Sequence, residues 1–141
     1  MLYLLDTNLV SELRKARTGK ADLGVVAWAG GVSADDLYIS VITILELELG
    51  VQLRERRDPT QGALLRAWLE QQVMAGFAGR VLPIDLAIAR RCAGLQVPDP
   101  RPDRDALIAA TALELGLTVV TRNERDFDGT GVALCNPWNA G

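Results

Sequence analysis

Histidine is absent from this chain of 141 residues. That absence excludes Ser-His-Asp triads, His-ligated zinc, HExxH proteases and histidine acid–base pairs, so any hydrolysis must run on carboxylates. Cysteine is scarce. Cys92 and Cys135 stand far apart in apolar stretches with no CxxC or metal-ligand spacing, and both are expected to be reduced and buried. Lysine occurs only at Lys15 and Lys20, whereas arginine occurs thirteen times. A strong field of either sign is missing too. Fifteen basic residues face eighteen acidic ones, for a net charge of −3 and a pI near 4.9. That is not the broad basic surface of a duplex-DNA binder, but it leaves a compact nucleic-acid substrate open. No apolar run approaches the ~18 residues of a membrane span. The opening MLYLLDTN has no basic start and carries Asp6 inside its apolar stretch, unlike a signal peptide. The protein is therefore expected in the cytoplasm.

What is present is enough apolar side chain, 49% of residues, to fill one core without disulfide or zinc staples, so residues 1–141 read as a single domain. Short apolar strands are expected over residues 2–5, 37–40, 81–84, 117–121 and 132–135. Between them run helical patterns. One follows a cap at Asn8 or Ser11, one carries Val25, Val26 and Trp28 to Gly30, and others cover 41–53, 64–77, a stretch after Asp85, and 106–114. All-apolar strands are buried on both faces, and their alternation with helices gives an α/β fold: a central, mostly parallel β-sheet sandwiched between α-helices. The proline cluster at 97–102 reads as a rigid loop inside the domain.

In such sheets ligands bind beyond the carboxyl ends of the strands, and Asp6 and the Asn123 region both stand just past expected strand ends. Glu46 lies in a helix with leucine or isoleucine at 42, 44, 45, 47 and 49, on one stripe with Thr43 and Gly50. Glu48 falls on another stripe with Gln52 and Glu55, a solvated face. Asp105 stands in the first turn of an alanine-rich helix, where a carboxylate is favoured as a cap whether or not it does chemistry. Three carboxylates from separate elements, with no histidine or thiolate, suit one hard cation, Mg²⁺ or Mn²⁺. Such an ion polarises a phosphodiester and lowers the pKa of an attacking water.

Four stretches, LLDTNLVSEL, SVITILELELG, DALIAATALELGLTVVTRN and the closing NPW, together resemble PIN-domain proteins, most closely the VapC/FitB-type toxins of bacterial toxin–antitoxin pairs. The resemblance spans nearly the whole chain. It implies a Mg²⁺- or Mn²⁺-dependent endoribonuclease hydrolysing RNA phosphodiesters, the toxin of a type II module. It also implies a homodimer, assembled with antitoxin as a dimer of dimers, and a DNA-binding antitoxin that inserts a basic residue into the site. The family's acidic positions fall on Asp6, Glu46 and Asp105, and its supporting polar positions on Thr7, Asn8, Ser11 and Thr121. At the fourth acidic position this chain has Asn123, and Asp126 is the candidate to replace it. The arginines expected to meet an RNA backbone are Arg101, Arg104, Arg122 and Arg125.

Two other readings stand beside this one. A PIN-fold module with a decayed site would bind without cutting, Asn123 marking the decay. An aspartyl-phosphate phosphatase or receiver domain also uses an Asp at a strand end, but it expects a late lysine to pair with phosphate, and none follows Lys20.

Overall fold

The computed structural model describes residues 1–139, so the last two residues of the expected domain lie outside it. Five strands form a wholly parallel sheet in the order β3-β2-β1-β4-β5. They are β1 (Tyr3–Leu5), β2 (Leu37–Ser40), β3 (Val81–Leu82), β4 (Thr118–Val120) and β5 (Leu134–Cys135), each no longer than expected and most of them shorter. The central pairing sets Leu5 opposite Val120, so both strands end at one level. Side chains alternate faces along a strand, which explains the unbroken apolar runs. Leu4 and Val119 pack with Ile108, Ala109 and Ala112 on one face, whereas Leu5 and Val120 pack with Leu9, Val25, Leu47 and Val51 on the other. Each such leucine contributes about 1.5–3 kcal/mol by leaving water.

Six α-helices cover the two faces: α1 (Thr7–Arg14), α2 (Leu23–Gly30), α3 (Val41–Arg57), α4 (Pro59–Trp68), α5 (Leu86–Leu95) and α6 (Asp103–Leu115). Three starts differ from the sequence reading. Asp6, rather than Asn8 or Ser11, caps α1, accepting from the Thr7 N–H at 2.8 Å. Helix α4 begins at Pro59, not Leu64, because Asp58 accepts from the Gln61 N–H and proline at the first helical position loses no needed donor; it continues through a wider π-helical turn at Leu69–Met74. Neither Asp103 nor Asp105 caps α6. Its cap position is Pro102, with no side-chain bond, and Asp103 accepts instead from Gln96. The helix stops where expected, at Gly116, whose φ of +71° suits glycine. Both cysteines are free, but only Cys92 is buried; Cys135, on the edge strand β5, is half-buried.

No helix among the described residues is long and apolar enough to cross a membrane.

Candidate active site

The shared level of β1 and β4 places Asp6 and Thr121 side by side, each the first residue after its strand. The Asp6 N–H closes the pairing on the Val120 carbonyl at 3.0 Å. Its carboxylate is then fixed by three donors: the Thr7 N–H at 2.8 Å, the Thr121 hydroxyl at 2.8 Å and Asn8 Nδ2 at 3.3 Å. Asn8 also ties to the β4 side, accepting from the Arg122 N–H. Helix α3 contributes Glu46. Because α3 starts under the Ser40 cap directly after β2, its second turn passes the strand ends, and the Thr7 hydroxyl donates to Glu46 Oε1 at 2.7 Å. Thr43, one turn earlier and fully buried, stands 3.1 Å from that hydroxyl. The sequence placed Thr43 on Glu46's stripe without assigning it to the site, and the i, i+3 spacing was the available signal.

The small face of α6, with Ala106, Ile108, Ala109 and Ala110 buried, brings the first turn of that helix against the sheet and Asp105 to the same rim. The short turn Glu124–Phe127 is anchored by buried Phe127 and brings up Asp126. Asp6, Thr7, Asn8, Glu46, Asp105, Asn123 and Asp126 line one cleft of about 280 Å³. Ser11 is elsewhere: one turn along α1, it lines a neighbouring groove with Thr7, Arg14, Glu46, Gly50, Leu65 and Trp68.

The carboxylates sense one another. Asp6 is pushed above its ordinary pKa, chiefly by burial, although the bonds from Thr121 and Thr7 pull the other way; Glu46 and Asp126 push it further. Asp105 is raised to about 6 by burial and then by the charges of Asp126, Asp6 and Glu46. A basic group comes near at the rim, where Arg104 Nη1 lies 3.8 Å from Glu46 Oε2. Among the described residues no three acidic side chains stand close enough together to hold a metal ion as they are placed. Four mutually repelling carboxylates around an open polar cleft nevertheless fit the hard oxygen chemistry of a divalent ion that keeps part of its water shell.

The arginine candidates separate. Arg101 holds the carbonyls of Leu95 and Asp128, so it braces the end of α5 against the segment after Phe127 rather than reaching into the cleft. Arg122 lies over the Trp138 ring at 5.8 Å. Glu48 is not merely solvated, because Arg66 of α4 binds it in a fork.

Residues 3–132 match the PIN domain family. The chain belongs to that family. It is 36% identical to the VapC ribonuclease Y4jK of Sinorhizobium fredii over 97% of this chain and 98% of the relative. It is likewise 36% identical to the toxin FitB of Neisseria gonorrhoeae, over 98% and 99%. The crystal structure of FitAcB from Neisseria gonorrhoeae superposes with a TM-score of 0.87 at 37% identity, covering 97% of this PIN-domain chain and 99% of that one. These relatives belong to the VapC/FitB group named by the resemblance, and the parallel sheet between helices is the fold it implied.

Proposed function

We propose that this PIN-domain protein is a Mg²⁺- or Mn²⁺-dependent endoribonuclease and the toxin of a toxin–antitoxin pair. The supporting observation is the cleft itself: Asp6, Glu46, Asp105 and Asp126, from four separate segments, share one opening at the strand ends. The similarity to a protein named as a VapC ribonuclease and to one named as a toxin supports the substrate class and the biological role.

Asp6, Glu46 and Asp105 would hold the ion, with Asp126 completing the acidic ring. When bound, the ion neutralises that charge, polarises the phosphodiester and makes water a better nucleophile. The chain's own groups do the positioning. Thr7 serves two carboxylates at once, its N–H on Asp6 and its hydroxyl on Glu46, so one residue sets the spacing between them. Thr121 and Asn8 fix the second oxygen of Asp6. Without an ion, burial and the neighbouring acids hold Asp105 up at about 6, so its carboxylate is suited to a cation that would relieve that repulsion. Asp126 in the cleft weakens the alternative of a decayed site, because the charge absent at Asn123 is supplied three residues later.

The partner proposed is an antitoxin whose basic side chain enters the cleft and competes with the ion for the same carboxylates. The groove beside it, with Leu65 and Trp68 exposed to its lumen, offers apolar surface next to Glu46. A cytoplasmic homodimer is the proposed free form. The experiment is cleavage mapping on total cellular RNA with and without Mg²⁺, repeated with antitoxin while Mn²⁺ is raised. Metal-dependent cuts and relief of inhibition by Mn²⁺ support the reading; RNA left intact at every metal concentration contradicts it.

A further inference from the structure

Arg104 stands in the first turn of α6 between Asp103 and Asp105. A cation there opposes the helix dipole, whose N-terminal end favours negative charge, so the position needs a compensating interaction. Among the described residues its ion pair is with Glu46 of α3, at the rim of the cleft. Its Nη1 is 3.8 Å from Glu46 Oε2, beyond hydrogen-bond length, and half of its side chain is exposed. Nearby arginines are committed differently: Arg101 to two backbone carbonyls, and Arg122 to the face of Trp138. Arg104 is thus held loosely against a carboxylate that is also a candidate ion ligand.

We propose that Arg104 is a counter-cation built into the cleft: it pairs with Glu46 while no divalent ion is present, and turns to a phosphate of the RNA when the ion takes Glu46. The inference rests on the ribonuclease reading above. A guanidinium and a divalent ion beside the same carboxylate repel each other, so each weakens the other's hold. RNA removes the conflict, because its phosphate offers the guanidinium two oxygens in a fork geometry and brings negative charge to both cations. The long, half-exposed side chain makes that turn without moving α6. Its contact with Glu46 then keeps the guanidinium at the rim before substrate arrives.

The test compares Arg104→Gln and Arg104→Lys with Arg57→Gln, which removes the same charge about 16 Å along α3 from Glu46. Two readouts are needed: Mn²⁺ affinity of the RNA-free protein by calorimetry, and KM for a fluorogenic oligoribonucleotide at saturating Mn²⁺. Arg104→Gln is expected to bind Mn²⁺ about threefold more tightly while its KM rises about tenfold, opposite effects that general destabilisation would not produce. Arg104→Lys, keeping the charge but not the fork, is expected between Arg104→Gln and the wild type, and Arg57→Gln at the wild-type values. Unchanged or weaker Mn²⁺ binding in Arg104→Gln, or an unchanged KM, overturns the inference alone, provided that the wild type binds Mn²⁺ and cuts RNA. A wild type that does neither overturns the ribonuclease reading and this inference together.

Discussion

Arg66 grips Glu48 through bonds of 2.6 and 2.8 Å and reaches Glu55 at 3.1 Å and Glu70 at 3.5 Å, whereas Glu46, two residues earlier on α3, has a threonine hydroxyl and a guanidinium 3.8 Å away. The two glutamates differ by which neighbour the helix turns them toward. Glu48 faces α4, and α4 comes close because Gly62 carries no side chain where a Cβ would collide with the Glu55 backbone. There the fold supplies the counter-ion, which holds the Glu48 carboxyl below the ordinary range. At the strand ends the fold instead buries acids together and leaves them short of close counter-charge, so Asp6 and Asp105 are pushed upward, chiefly by burial and then by their neighbours' charges. Acids paired within the fold serve packing; acids left to repel one another are suited to a cation from solution.

Substitution breaks this contrast most strongly. Asp6→Asn is expected to lower RNA cleavage by roughly 10²–10³-fold or more and to abolish the response of melting to Mn²⁺. Glu48→Gln is expected to leave both intact, and loss of cleavage in Glu48→Gln but not in Glu46→Gln would reverse the assignment of the two faces of α3. Next in size is the effect of the ion on the fold. At a hundredfold excess over Kd, Mn²⁺ should stabilise the wild type by roughly 2.7 kcal/mol, or about 5–10 °C in Tm, if the unfolded chain binds none.

A smaller effect follows from pH. In the folded chain Asp105 has a pKa of about 6 against an ordinary 3.8, and Asp6 is raised too, so their charged forms oppose folding at neutral pH. As pH falls through about 6, Asp105 protonates in the fold first, and that destabilisation is relieved progressively until the unfolded carboxyl protonates near 3.8. Differential scanning fluorimetry without metal should therefore give a Tm that rises from pH 7 to pH 5, and saturating Mn²⁺ should remove the rise. Smaller again, Asn123→Asp should tighten Mn²⁺ binding and raise cleavage at low Mg²⁺. No change in either would mean that the Asn123 side chain does not reach the ion. Arg66→Gln should lower Tm slightly while leaving the Mn²⁺ response unchanged.

Much of this was legible from residue order, and for a physical reason. An all-apolar strand that stops at Asp6, a helix with an acid among leucines at Glu46, and an alanine-rich helix opening at Asp105 each record local requirements: burial on two faces, an exception on one face, and close packing. Their meeting place follows from the parallel topology, which sends strand ends to one rim. Less legible were features that depend on which element packs against which. Ser11 shares the polarity of Thr7 and Asn8, but one helical turn carries it into the adjoining groove. Arg101 looks like any loop arginine until its guanidinium is seen bracing Leu95 and Asp128. Helical spacing puts Glu48, Gln52 and Glu55 on one stripe, yet only the approach of α4 makes it an ion-paired helix contact rather than a solvated face. Cys135 was expected to be buried from its apolar neighbours, but β5 is an edge strand and leaves it half-buried.

The most direct test of the cleft is cleavage of a defined RNA by the purified wild-type chain, stripped with chelator and then titrated with Mn²⁺, with Asp6→Asn carried through in parallel. The expected result is no cleavage in chelator, activity restored in proportion to Mn²⁺ occupancy measured on the same sample, and no restoration in Asp6→Asn. Equal cleavage in chelator and in Mn²⁺, or restoration by Mn²⁺ in Asp6→Asn, would contradict a divalent-ion site built on these carboxylates.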